Sequence, residues 1–333
     1  MIQFTVIVPN YNRPDEVDEL LESLAAQEQK NFDVVLVEDG STIPCKDVVD
    51  KYIDQLDIQY YFKENTGPGD SRNFGMTKAK GDYFIFFDSD CVIPSDYVTK
   101  VNEFLANHPL DTFGGPDDAA DSFSDVQKAI NYAMTSVITT GGIRGKENKL
   151  DTYQPRSFNM GVSRKVYEAV GGFSDIHPGE DPDWSYRIMN AGFKIGLIPN
   201  AKVWHKRRID FKKFAKQVYK FGVVRIILMK WYPDKFKLTY TLPSLFLIGS
   251  VITVLISSIG TYLFSTPLLL LVSLIFLDAL RSTKKLNIAA MAVYATFVQL
   301  YCYGFGFLKS WWKINILKQK ERVGFKSFFF NEK

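Results

Sequence analysis

The chain of 333 residues is short of several features that would have fixed its class at once. Its three cysteines, Cys45, Cys91 and Cys302, stand far apart, with no metal-ligand spacing and no basis for a disulfide framework. Charge of one sign is lacking too: the net charge is only +3, so composition gives no reason to expect nucleic acid as a partner. There is no Gly-Lys-Ser of a phosphate-binding P-loop, no internal repeat and no low-complexity linker. The first residues enter a strand without a basic and then apolar leader, so no signal peptide is expected. Long hydrophobic runs are missing up to about residue 235 and dominate beyond it, which places a domain boundary there.

What is present before that boundary alternates strand with helix. Strands are expected at Phe4–Val8, stopped by Pro9, at Phe32–Val37 and at Ile58–Phe62. Between them come an amphipathic helix from Asp15 to about Gln27 and a second around Cys45–Gln55. The loop Glu64–Arg72 opens a helix over Asn73–Lys78, and Tyr83–Phe87 reads as a strand buried on both faces. This alternation argues an α/β fold, a mostly parallel, doubly wound Rossmann-like sheet, whose ligands bind beyond the carboxyl ends of the strands. The last strand leads into Asp88-Ser89-Asp90. On a strand, positions i and i+2 share a side, so the two carboxylates are expected to converge. Converged carboxylates either sit in a polar turn or hold a cation between them, and hard oxygen ligands suit Mn²⁺ or Mg²⁺.

Four segments in order, Val6–Arg13, Val37–Ser41, Gly67–Asn73 and Phe87–Asp90, resemble glycosyltransferase family 2, inverting enzymes of the GT-A fold that use nucleotide-diphosphate sugars. The resemblance covers roughly residues 1–210 and implies a GT-A catalytic domain there. It implies that Pro9 and Tyr11 bracket a nucleobase, with Tyr11 stacking on it and Arg13 also on the nucleotide. Asp39 would accept from the base's ring N–H. Arg72 would meet the base edge or the diphosphate. Asp88 would serve both nucleotide and metal, with Asp90 as a further metal ligand. Glu38 stands where the family often has Asp.

The later half is less regular. Phe113–Asp118 resembles a segment beside the donor sugar, Thr139–Gly145 reads as a mobile loop, and Phe158–Ser163 as a strand-like return. Glu180-Asp181-Pro182-Asp183 is either a plain helix start, where acids favour the dipole, or the pair that supplies a catalytic base. The family pattern puts the base at Asp181, and Glu180 and Trp184 at the acceptor, Trp184 by stacking on a sugar face. A hydroxyl acceptor needs such a base, because it is a poor nucleophile until its proton is taken. The pattern also places a histidine near His205, as a contact to metal or diphosphate. Lys206–Arg208 reads as a diphosphate contact or a membrane-facing basic patch.

Beyond the boundary, Phe211–Trp231 interleaves Phe214, Val218 and Phe221 with lysines, and the region 211–235 is read as an amphipathic, interfacial helix. Over 236–310 two or three transmembrane helices are expected, from Leu242–Phe264 and Leu286–Leu308, with Pro267–Leu280 short for a span. A basic, aromatic tail follows over 311–333, with Trp311-Trp312 as an aromatic belt. This half resembles membrane-bound family 2 enzymes that build exopolysaccharide on a lipid carrier. The expectation is an inverting, metal-dependent transferase moving a sugar, with a leaning to a UDP-sugar, to a hydroxyl of a lipid-linked glycan or glycolipid. Its expected place is the inner (cytoplasmic) membrane, with the catalytic domain facing the cytoplasm. The competing readings are a polyprenyl-phosphate glycosyltransferase, whose acceptor would need no base, and a non-catalytic nucleotide-sugar-binding membrane protein.

Overall fold

The computed structural model describes residues 2–118, 123–140, 153–206, 210–258 and 262–330. Residues 141–145 of the loop expected at Thr139–Gly145 lie outside that set, as do Arg207 and Arg208. The chain divides into two units, one of residues 1–118, 145–206 and 327–333, the other of 119–144 and 207–326.

The first unit alternates as the sequence predicts: β1 (Phe4–Asn10), α1 (Pro14–Ala25), β2 (Phe32–Asp39), α2 (Lys46–Asp50), β3 (Ile58–Lys63), α3 (Pro68–Lys78) and β4 (Tyr83–Phe86). It continues with β5 (Cys91–Val92), α4 (Tyr97–Asn107), β6 (Thr112–Gly114) and β7 (Asp117–Asp118). The chain then contributes α5 (Asp125–Thr135) and α6 (Val137–Thr140) to the second unit. Back in the first come β8 (Met160–Ser163), α7 (Arg164–Val170), α8 (Glu180–Asn190), β9 (Ile195–Leu197) and β10 (Val203–His205). The main sheet has the order β3-β2-β1-β4-β8-β6-β9, and β8 alone runs antiparallel to its neighbours. A small second sheet has the order β5-β10-β7.

Period-two alternation divides the sheet's side chains between two cores. Val6, Val8, Val34, Leu36 and Ile85 pack with Val17, Leu20, Leu21 and Leu24 of α1. Ile7, Val35, Val37, Phe84 and Phe86 pack on the other side with Met76, Trp184 and Ile188. Both faces are covered, which is why these strands read as continuous apolar runs.

Two boundaries differ from expectation for identifiable reasons. β1 runs through Pro9 to Asn10, pairing with β2 as far as Asn10↔Glu38. The Ile7 carbonyl accepts from Phe87 N on the β4 side, so Pro9, two residues on, points the same way. β4 ends its pairing at Phe86↔Ile7, so proline's missing N–H costs no ladder bond. α3 begins at Pro68 rather than at Asn73, because proline is favoured in a helix's first turn. Arg72 is therefore carried on a helix and not on a loop.

In the second unit the helices α9 (Phe211–Trp231), α10 (Leu242–Ser258), α11 (Thr266–Thr283), α12 (Leu286–Trp311) and α13 (Glu321–Gly324) follow. The expected interfacial helix forms as α9, but its apolar face is not left for lipid. Phe214 and Val218 are buried with Ile130, Ala133 and Met134 of α5 and Ala295 of α12. Glycines let α9 and α12 approach closely: a Cβ on Gly222 would meet the Tyr303 carbonyl at 2.1 Å, and one on Gly306 the Tyr219 carbonyl at 2.3 Å. The amphipathic pattern thus records helix packing. Among the described residues two stretches are long and apolar enough to cross a membrane, Leu263–Thr283 with 21 residues and Leu286–Ile316 with 31. The segment expected to be short for a span therefore belongs to a full-length one, and only 11% of its most apolar window is buried. The span expected at Leu242–Phe264 has a described helix only over Leu242–Ser258, 17 residues. That is about 25 Å at the usual rise, short of a hydrocarbon core of about 30 Å.

Candidate active site

Four loops at the carboxyl ends of β1, β2, β4 and the start of α8 form the site of the first unit. The turn after β1 is tied to the turn after β2: Asn12 Oδ1 accepts from Thr42 N at 2.8 Å and Ile43 N at 2.9 Å, and Asn12 N donates to Ser41 Oγ at 2.7 Å. Tyr11, next to that lashing, is 51% exposed. Pro9 is buried beneath it in β1. Glu38, which no motif marks as more than a change from Asp, is fully buried and organises the β2 turn. Its carboxylate accepts from Asn10 Nδ2 and Cys45 N, each at 2.8 Å.

Asp39 is 4% exposed. Its Oδ1 accepts from Lys63 Nζ at 2.6 Å and Thr66 N at 3.0 Å, and its Oδ2 from Gly67 N at 2.9 Å. It therefore pins the loop that opens α3, and each carboxylate oxygen has two lone pairs, so Oδ2 keeps one for a further donor. One turn into α3, Arg72 is 2% exposed and lies 5.4 Å from the Phe173 ring centroid. Its Nη2 bonds Asp88 Oδ1 at 2.5 Å and its Nη1 lies 3.5 Å from Glu180 Oε1. One guanidinium thus joins the turn after β4 to the first residue of α8.

The expectation that Asp88 and Asp90 point together is not met. β4 ends at Phe86, and Cys91 N donates to Asp88 O across a turn, so strand alternation does not reach these residues. Asp88 faces Arg72, whereas Asp90 Oδ2 is bonded by Arg13 Nη1 at 2.6 Å and Asp90 Oδ1 lies 3.2 Å from His205 Nε2. Burial alone would raise the Asp90 pKa, but His205 and Arg13 outweigh it and hold the carboxyl well below its usual range. His205 is delivered by the small sheet: β10 pairs antiparallel with β5 in the register His205↔Cys91. Phe158 stacks on the imidazole with ring centroids 4.3 Å apart, and Asp117 Oδ2 lies 3.8 Å from Nδ1. Asn159 secures this end by donating to the Ala201 carbonyl at 2.9 Å while accepting from Tyr97 at 2.6 Å.

Asp90, Cys91 and His205 bring candidate ligand atoms within 4.8 Å of one another. Burial, and then Asp90 and Asp88, raise the Cys91 thiol well above its ordinary pKa, so it is protonated in the absence of a metal. The hard donors of the group are a carboxylate oxygen and an imidazole nitrogen. They suit Mn²⁺ or Mg²⁺, which commonly take one or two protein ligands and fill the rest with water and phosphate oxygens. Asp88, expected as the third ligand, is not in this group.

At α8, Glu180 is 4% exposed, and its Oε1 also lies 2.9 Å from His177 Nδ1. Burial would raise its pKa, but His177 and Arg72 prevail and lower it to about 2. Asp181 is shifted the other way, raised by burial first and by the neighbouring Glu180 charge, against the pull of Arg156. Arg156 Nη1 stands 3.5 Å from Asp181 Oδ2, a pairing that no contiguous motif announces. Two adjacent acids whose surroundings shift their pKa in opposite directions are a feature of acid–base sites.

Trp184 is a correction. It is fully buried, donates Nε1–H to the Gly171 carbonyl at 2.7 Å, and packs against Phe173 and Phe86 with centroids 4.3 and 5.9 Å away. No ring face remains for a sugar, because Phe173 and Phe86 pack against the ring in the core. Glu180 commits Oε1 to Arg72 and His177, while its buried Oε2 has no hydrogen-bond partner among the described residues.

Comparison with known proteins fits this geometry. Residues 5–171, half of the chain, match the family Glycosyl transferase family 2. Poly(ribitol-phosphate) beta-N-acetylglucosaminyltransferase TarS of Staphylococcus aureus is 36% identical over 115 residues, which is 33% of this chain and 20% of TarS. Glycosyltransferase GlyA of Streptococcus pneumoniae is 34% identical over 219 residues, 65% of this chain and 27% of GlyA. The matched stretches thus span a fifth to about a quarter of these relatives' own length. Among solved structures, mannosyltransferase PcManGT from Pyrobaculum calidifontis, in complex with GDP-Man and Mn²⁺, superposes with a TM-score of 0.62 at 16% identity, over 90% of this chain and 87% of its own. The chain belongs to glycosyl transferase family 2 and has the GT-A fold.

Proposed function

We propose that the chain transfers a sugar, with inversion, from a nucleotide-diphosphate donor to a hydroxyl of a lipid-linked glycan or glycolipid at a membrane. The observation that carries this reading is the reach of Arg72, which joins Asp88 at the donor turn to Glu180, the residue before Asp181. Tyr11 offers its exposed ring to the nucleobase and Asp39 its spare acceptor to the base's N–H. Asp90 and His205, with Asp88 nearby on the same turn, would hold Mn²⁺ or Mg²⁺ against the diphosphate. Such an ion supplies charge neutralisation to the leaving nucleoside diphosphate. Arg13 and Arg72 add donors on the same side. Asp181 takes the proton of the acceptor hydroxyl as the oxygen bonds the anomeric carbon. The bond from that carbon to the diphosphate breaks on the opposite face, which inverts the configuration. The exposed leucines of α11, Leu269, Leu270, Leu274 and Leu277 among them, support a lipid environment for the second unit.

Full-length protein in detergent, supplied with Mn²⁺, bacterial membranes and a panel of UDP-GlcNAc, UDP-glucose, UDP-galactose and GDP-mannose, gives products that mass spectrometry reads. Asp181→Asn should leave nucleotide binding near normal while transfer falls by about two orders of magnitude. Unchanged turnover would reject Asp181 as the base.

A further inference from the structure

A segment far away in sequence returns to the start of α8. Phe329 bridges antiparallel to Ile176. His177 N donates to the Phe328 carbonyl at 2.8 Å, and Phe330 N to the Asp175 carbonyl at 3.1 Å. Phe328 and Phe329 are 4% and 7% exposed, and Ile176 opposite them is 1% exposed. Phe330 stands at the rim, 43% exposed, with its ring centroid 5.9 Å from that of His177. Its other contact is Gly67: a Cβ built there would come within 2.7 Å of the Phe330 ring, so the ring fits only against glycine. With Phe330, the residues Thr66, Asp70, Asn73, Phe173, Ser174 and His177 line a small, open cavity.

The two loops so joined are the two arms of the Arg72 network. Gly67 opens α3, on which Arg72 sits, and its N–H is bonded to Asp39. Residues 175–177 lead into Glu180 and Asp181, with His177 bonded to Glu180. We propose that Phe328–Phe330 is a positioning strap for the transfer site, with Phe330 wedged between the two arms so that Asp181 is held at a fixed place relative to the donor turn. The inference rests on the reading of Asp181 as the base. The strap does not touch Asp181, and it meets the donor side only at Gly67, whose N–H is bonded to Asp39. Its backbone pairing is with residues 175–177, which lead into Asp181, so its main effect is on the chemical step and donor binding is the lesser one.

Phe330→Ala removes an exposed ring and spares the buried pair, so the fold is retained. With UDP-GlcNAc and Mn²⁺, or whichever donor the panel selects, kcat should fall about tenfold to a hundredfold, the usual result of a small misplacement of a reacting group. The donor KM should stay within twofold, and Phe330→Trp should restore most of kcat. Deleting residues 327–333 should raise amide exchange at His177 at least tenfold, a readout that needs no substrate. An unchanged kcat in Phe330→Ala, a loss carried by the donor KM, or unaltered exchange after the deletion overturns the proposal. Asp181→Asn measured alongside separates the two ideas. Full turnover in that variant removes the base assignment alone, and the exchange result still decides whether the strap holds the loop.

Discussion

Replacing Arg72 by methionine tests the electrostatics at the centre of the site. Methionine keeps much of the packing against Phe173 but takes away the charge shared by Asp88 and Glu180. The two carboxylates respond differently. The Asp88 side chain is 33% exposed and can rehydrate, so its loss is worth under about 1 kcal/mol. The Glu180 side chain is 5% exposed and would keep only His177, and stripping one partner from a buried pair costs about 3–5 kcal/mol. For a unit of this size that lowers the melting temperature by about 6–20 °C. Trp184, buried beside Phe173, is a fluorescent reporter of the unit's unfolding. Adding Glu180→Gln to Arg72→Met removes the stranded charge and should recover more than half of the shift. The sign with pH is also set. Glu180 is held at about 2, below its ordinary 4.5, so its contribution is complete above about pH 4.5 and is lost as pH falls towards 2. A shift under about 2 °C for Arg72→Met, or a double variant no better than the single one, refutes the reasoning.

The raised pKa of Asp181 places the acid limb of the pH–rate profile above the ordinary aspartate range, with activity lost as pH falls and the base is protonated. Glu180→Gln removes a like charge and should move that limb to lower pH, whereas Arg156→Met removes an opposite one and should move it higher; shifts in the same direction would contradict the assignment. Tyr11→Ala, at a ring that is 51% exposed, should raise the donor KM several-fold while leaving the melting temperature within about 2 °C, which kinetics and a melting scan check together.

Much of this was legible in the sequence because it is local. Apolar runs ending in Pro9, Glu38-Asp39 and Asp88 mark strands buried on both faces, and their polar ends mark where a ligand sits. What was not legible depends on register between distant, very short strands. Asp90 meets His205 only because a two-residue strand, Cys91–Val92, pairs with a three-residue one, Val203–His205, and such strands carry no periodicity. Asp88 and Asp90 were expected on one side because the sequence does not show that the chain turns from Asp88 to Cys91 once β4 has ended. Trp184 beside an acidic pair looks like a sugar platform in a motif, yet Phe173 and Phe86 pack against it in the core. In α9, lysines alternating with aromatics give one pattern for two causes, a membrane surface or a neighbouring helix, and the glycines of α9 and α12 decide for the neighbour.

Asp90 and His205, as proposed, hold a divalent ion against the donor's diphosphate, which makes nucleotide binding depend on the metal. Calorimetric titration of UDP into the full-length protein, with and without Mn²⁺, tests it most directly. Wild-type protein should bind UDP at least tenfold more tightly with the metal, and Asp90→Ala should abolish that difference while leaving the metal-free affinity within about threefold, since Tyr11 and Asp39 are untouched. An equal gain from Mn²⁺ in wild type and Asp90→Ala would contradict the account.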